Sequence, residues 1–296
     1  MNAALQVTPP MGSSQIDALL QRRHHDTQAG APRDMRQEGG VTTLVCASGR
    51  GGSGTTMIAA LLAVAAADDG ARVLLIDADE HVGPLALLLG VSARASWQDL
   101  RRGRVSPLDV ATPVGATLTL VAGGAARLTT PALGALNAAD RRACMRRVAE
   151  LSMGMDLVVI DCGARFESVT ACLTPHRGER LMAVASGADP IGLAATYALC
   201  KAVHSRHPAV PVELLVNRHE GSAALRCFDV IDAGVRQFLG SAVHFAGALP
   251  TDPSLDVALQ AGMTFTDATA GSPAAIAAHE VVKRTLAGSS SNRPGV

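Results

Sequence analysis

Residues 41–57 read VTTLVCASGRGGSGTTM, and the order of residue types in that stretch decides the fold. A β-branched and aliphatic run comes first, then Ser48, then four glycines within six positions, then two threonines. The apolar, Ala-rich run Ile58–Ala67 follows at once. Strand, glycine loop and helix is the order that builds a phosphate cradle. From Gly49 to Thr56 the spacing is that of the phosphate-loop pattern: a glycine, four residues, a glycine, a cation, then Ser or Thr. Position 55 departs from it, with Thr55 where the pattern has lysine. The rest of the chemistry is backbone. Glycines let successive N–H groups turn onto an anion, and the N-terminus of the next helix adds its positive dipole end. Gly49, Gly51, Gly52, Ser53, Gly54, Thr55 and Thr56 are therefore candidate nucleotide-binding residues. Thr56, in the first helical turn, is a candidate magnesium ligand.

Working outward, apolar strands alternate with helices along most of the chain. The pattern predicts strands over 42–47, 73–76, 118–122, 157–160, 181–185, 212–216 and 243–246. It predicts helices over 56–67, 131–151, 190–205, 222–239 and 273–286. Near-continuous apolar strands alternating with helices specify an α/β fold, a mostly parallel sheet with helices on both faces. Residues 41–287 read as one such domain. Residues 1–40, rich in Gln, Arg, His, Gly and Pro, read as a flexible leader with one short helix over 15–23, and 288–296 as a flexible tail.

Composition bounds the function. The 296 residues are 48% hydrophobic with only five Phe, one Trp and one Tyr, so the core must be aliphatic. Formal net charge is zero, which gives no long-range pull toward nucleic acid or an anionic membrane. Six cysteines lie scattered, mostly within apolar runs and without a C-x-x-C pair, which reads as buried free thiols. No signal sequence or membrane-spanning run is present, and the expected location is the cytoplasm. The nine histidines show no metal-ligand spacing. Arginines gather at 101, 102 and 104 and again at 141, 142, 146 and 147. They read as solvated helix faces that would suit an acidic protein before DNA. Trp97 is expected at the core's edge.

Two more stretches give the loop its meaning. RVLLIDAD (72–79) is an apolar strand ending on Asp77 and Asp79, and MDLVVIDCG (155–163) is another ending on Asp161. Ligands of parallel sheets gather beyond the carboxyl ends of the strands. Acids beside a phosphate site make sense when a divalent cation lies between them. Asp77 and Asp161 are thus candidate metal-site residues, and Asp79 can hold an attacking water. The plain alternative is that Asp77 and Asp161 only cap the segments that follow.

Segments 46–90 resemble the deviant phosphate loop and first switch of the MinD/ParA ATPases, whose typical segment reads S-G-K-G-G-V-G-K-T, then L-L-I-D-A-D and L-L-G. This chain has SGRGGSGTT, LLIDAD and LLLG. TYALCKAVHSRHP, LLVNRH, RQFLG and GALPTDPSLDVAL are similar to the flagellar-number regulators of that family, the FlhG/FleN group. The resemblance covers about Val41–Leu286. It implies ATP and Mg2+ as cofactors and a homodimer held face to face by ATP. It puts Arg50 where the family has a signature lysine reaching the partner's nucleotide, and Asp79 at the catalytic carboxylate. It implies that Asn217 and the turn Pro250–Asp252 hold adenine.

The departures shape the expected activity. Thr55 removes one cation from the β- and γ-phosphates, Arg50 replaces the signature lysine, and Pro84 stands where many relatives have Asn. A charge-assisted hydrogen bond nets about 1.5–3 kcal/mol, so its loss weakens binding roughly ten- to a hundredfold. Weak ATP binding and slow or absent hydrolysis follow. The function expected is regulation of flagellar number or placement through protein contacts. The partners implied are a flagellar GTPase and a flagellar transcriptional activator, with recruitment to the pole or membrane by them. The helix over 273–286 lacks aromatics and carries few cations, so membrane contact is weak at most. Two other readings stay open: a working ATP-dependent dimerising ATPase, and a polar scaffold for a pilus or secretion apparatus.

Overall fold

The computed structural model describes residues 41–79, 83–124, 137–173, 179–187 and 189–287. The expected leader with its helix over 15–23, the tail, and the first residues of the helix predicted from 131 lie outside these. Eight strands form one sheet: β1 Thr42–Ser48, β2 Val73–Asp77, β3 Ala111–Pro113, β4 Leu118–Val121, β5 Leu157–Asp161, β6 Glu179–Ser186, β7 Val212–Asn217 and β8 His244–Leu249. Their order is β3-β4-β2-β5-β1-β6-β7-β8, parallel throughout except for β3, which runs antiparallel to β4 at one edge. That edge strand is three residues long and ends on Pro113, too short to show a period in sequence.

Among the described residues the helices are α1 Thr55–Asp68, α2 Leu85–Leu88, α3 Trp97–Arg101, α4 Pro107–Val110, α5 Ala138–Leu151, α6 Phe166–Cys172, α7 Pro190–Arg206, α8 Gly221–Leu239, α9 Pro253–Gln260, α10 Phe265–Thr269 and α11 Pro273–Leu286. Four of the long ones match the expected spans within a residue or so, but α5 starts at Ala138 and not at 131, because extended Asn137 caps it by accepting from Ala139 and Asp140 N–H. Six short ones, α2, α3, α4, α6, α9 and α10, were not legible as periodic runs, because they cover only one or two turns.

Strand alternation sends side chains to two cores, one on each side of the sheet. Val45, Ala47, Leu74, Ile76, Val158 and Ile160 face α5, α7 and α8. Leu44, Cys46, Val73, Leu75, Leu157 and Val159 face α1 and α11. Ten of the fourteen residues of α1 are buried. Its alanines let α11 and the sheet approach closely, while Ile58, Leu61, Leu62 and Val64 contribute about 1.5–3 kcal/mol each by burial. Helix α11 buries Ala278, Val281, Val282 and Thr285, which is packing against the domain, as the absence of aromatics suggested.

Three details correct or sharpen the sequence reading. Trp97 is fully buried, its backbone N–H donating to the Ala122 carbonyl just after β4 and its ring in the core cluster that includes Val121, Leu100 and Val110. Arg101, grouped with solvated arginines, is also buried. All six cysteines are free and buried. Among the described residues no helix is long and apolar enough to cross a membrane, and no cluster of three or more His, Cys, Asp or Glu suits a metal.

Candidate functional site

The chain winds from central β1 to one edge through β2, and later to the other edge through β6. The reversal around β1 opens the crevice where parallel sheets bind ligands. Three strand ends meet there. Cys46 of β1 lies in register with Asp161 of β5, and Asp77 of β2 lies in register with the same Asp161.

The loop after β1 is held from both sides. At its start, Ser48 N–H donates to the Gly163 carbonyl at 2.9 Å. The hydroxyls of Ser48 and Ser53 both donate to the Arg50 carbonyl, at 2.8 and 3.1 Å. Gly49 sits directly on α7, where a Cβ would stand 2.0 Å from the Ala195 carbonyl oxygen, so no side chain fits. Gly54 caps α1 with φ 86°, a left-handed conformation that favours glycine. The Asn217 amide at the end of β7 donates to the Ser53 carbonyl at 2.9 Å. The loop is thus open and braced. Gly51 and Gly52 face empty space. The N–H groups of Gly51, Gly52, Ser53 and Gly54 donate to no acceptor among the described residues. Thr55 is buried and Thr56 partly so, which leaves Arg50 as the loop's one cation.

The acids play different parts. Asp77 is fully buried. One oxygen accepts from Asp79 N–H at 3.2 Å and the other from Leu85 N–H at 3.0 Å. Burial pushes its pKa up to about 7 despite those bonds. Its observed partners are those of a cap for the segment leading into α2. Asp161 is equally buried, and burial raises its pKa to about 6. One oxygen accepts from Gly163 N–H at 3.0 Å, and the Thr56 hydroxyl beside the carboxylate lowers the pKa in part. The Oδ2 atom is buried with no hydrogen-bond partner. An orphaned carboxylate oxygen beside a threonine hydroxyl, under a loop of unspent N–H groups, fits a hard divalent cation and its anion. The residues present therefore suit Mg2+ with a phosphate chain.

Asp79 lies at the rim. Its carboxylate stands close to Gly163 and meets the Arg165 Nε at 3.4 Å. Arg50 is tied across the mouth to Asp189 at 2.8 Å. Asp189 in turn caps α7, accepting from Ile191 and Gly192 N–H at 3.1 Å each. Neither Arg165 nor Asp189 was singled out from sequence. Asp189 had a readable signal, an Asp directly before a proline at a helix start. Arg165 had none, since its partner is 86 positions away.

The expected adenine segments adjoin one another. Asn217 lies in register with Leu249, the residue before Pro250. Arg218 takes φ 60°, unusual for a residue with a side chain. Asp252 is consumed internally. It accepts from Leu255 N–H at 3.1 Å and the Ser254 hydroxyl, and from Ala274 N–H at 3.1 Å and the Ser272 hydroxyl. It therefore fixes the turn, rather than offering its side chain outward.

Known proteins share this fold. Residues 44–265 match the family described as the CobQ/CobB/MinD/ParA nucleotide binding domain. The chain is 26% identical over 256 residues to the antiactivator FleN of Pseudomonas aeruginosa, covering 84% of this chain and 89% of that one. Its fold is similar to the septum site-determining protein MinD of Pyrococcus horikoshii complexed with Mg-ADP, with a TM-score of 0.65, 20% identity, and coverage of 84% and 98%. It is also similar to a chain of the MinC:MinD cell division complex of Aquifex aeolicus, with a TM-score of 0.64, 20% identity, and coverage of 86% and 98%.

Proposed function

This chain belongs to the CobQ/CobB/MinD/ParA nucleotide-binding family, and from that membership we propose that it is a FleN-like regulator of flagellar number or placement. It binds ATP with Mg2+ weakly and acts mainly through protein contacts. The observation that carries the nucleotide half is the orphaned Oδ2 of Asp161 beside Thr56 and the unspent N–H groups of the loop. The flagellar half rests on likeness to FleN along 89% of that protein.

In this reading Gly49–Thr56 receive the phosphates. Thr56 and Asp161 would hold the metal, with Asp77 keeping the strand end behind them in place. Bound Mg2+ supplies charge neutralisation of the terminal phosphates. Asp79, at the rim, would orient an attacking water. Asn217 and the turn Pro250–Asp252 flank the base, Asp252 by holding that turn rigid. Arg50 takes the part of the family's signature lysine toward a second subunit, and must leave Asp189 to do so. An exposed pair of that kind is worth about 0–1 kcal/mol, so the release is cheap. Thr55 supplies no charge, which makes binding weak and turnover slow. Partners under this reading are a flagellar GTPase and a flagellar transcriptional activator, and residues 41–287 are the nucleotide-binding domain.

Calorimetric titration with ATP and Mg2+ tests the first half. Binding should be saturable, and Thr55→Lys should tighten it roughly ten- to a hundredfold by restoring one charge-assisted contact. Wild-type affinity unchanged by that substitution would show that the loop does not cradle phosphate. For the second half, deleting the gene should change the number or position of flagella per cell, and an unaltered pattern removes the assignment.

A further inference from the structure

The loop lacks a lysine at position 55, yet the structure brings another cation to the same mouth. Arg165 opens α6 four residues after Asp161, and its N–H bonds the Cys162 carbonyl at 3.2 Å in a tight turn. That turn is fastened to the start of the phosphate loop, because Gly163 accepts from Ser48 N–H. The guanidinium therefore belongs to the wall of the crevice on the side where Asp79 stands.

Its bonding is incomplete. Only Nε meets Asp79, at 3.4 Å, and the side chain is 40% exposed. A committed charge-assisted contact runs closer to 2.7–2.9 Å, as Arg50 with Asp189 does at 2.8 Å. The two terminal nitrogens of Arg165 have no hydrogen-bond partner among the described residues. A guanidinium held through Nε keeps its planar fork free, and that fork matches phosphate oxygens in bidentate fashion. Arg50 is differently placed, since Asp189 that holds it is itself fixed by two backbone N–H groups at the start of α7.

We propose that Arg165 supplies the positive charge that Thr55 does not, contacting the terminal phosphate of a bound nucleoside triphosphate, and that Asp79 holds it in place until the anion arrives. The proposal rests on the nucleotide reading of the site given above. It makes Arg165 a cation that reports the third phosphate: a diphosphate is expected to leave the Arg165–Asp79 pair intact.

The test is a titration of the full-length protein with fluorescent ATP and ADP analogues in the presence of Mg2+, on wild type, Arg165→Gln, Arg165→Lys and Asp79→Asn. Arg165→Gln should raise the Kd for the triphosphate about tenfold or more and that for the diphosphate about threefold or less. Arg165→Lys should recover part of the loss. Asp79→Asn should bind the triphosphate at least as tightly as wild type, because it no longer competes for the guanidinium. Equal losses for both nucleotides, or a triphosphate Kd unchanged by Arg165→Gln, overturn the assignment and leave the function intact. Should Arg165→Gln melt early, Arg165→Lys decides: a folded lysine variant no better than glutamine also overturns it. Absence of saturable binding by the wild type removes the nucleotide reading itself, and this assignment with it.

Discussion

At the scale of single residues, two neighbouring aspartates with the same burial do different work. Asp77 has two backbone partners, whereas Asp161 keeps one oxygen without any. A buried, half-satisfied carboxylate is unfavourable for the empty protein and favourable for one holding a cation. Asp161→Asn keeps the acceptor for Gly163 and removes the charge. It should therefore raise the stability of the metal-free protein by roughly 1–3 kcal/mol, a few degrees in Tm. The same substitution should abolish the Mg2+ dependence of nucleotide binding. Thermal melts and titrations with and without Mg2+ check both, and a lowered metal-free Tm would contradict the account.

At the scale of elements, the mouth exists because separate elements are pinned to one another. Gly49 lets the loop rest on the backbone of α7. Gly49→Ala must push them apart and should cost about 3 kcal/mol or more, read as a loss in denaturant midpoint. Asp252 ties the start of α9 to the start of α11. Burial alone would raise its pKa, but two serine hydroxyls and two backbone N–H groups outweigh that and hold it at about 2. A carboxylate depressed in the folded state gives stability that is present above its unfolded value of 3.8 and is lost as pH falls toward 2. Asp252→Asn should therefore lose roughly 2 kcal/mol at neutral pH and show a flatter stability profile between about pH 4 and 2. Denaturation at a series of pH values measures this, and parallel profiles for both proteins would refute it.

At the scale of the whole molecule, the two arginine groups seen in sequence prove to be neighbours, since the Arg147 guanidinium packs against Gly103 beside α3. Arg50 offers a different surface, and the family reading makes that surface the one a second subunit meets. Light scattering should find Thr55→Lys moving from monomer toward dimer when ATP and Mg2+ are added, and Thr55→Lys with Arg50→Ala failing to do so. A dimer indifferent to nucleotide and to Arg50 would break that reading. The linear order of residue types determined the parallel α/β sheet, because strand and helix periods, glycine spacing and strand-end acids are local and survive without neighbours. It also gave the loop and its missing cation. Only the tertiary structure decided the partners. That both oxygens of Asp77 are spent and one of Asp161 is not depends on how the strand ends are buried, while Asp252 bracing two helix starts and Arg165 reaching Asp79 depend on contacts between segments tens of positions apart. No local pattern encodes them, because a side chain's partner is set by how elements pack and not by what adjoins it in the chain.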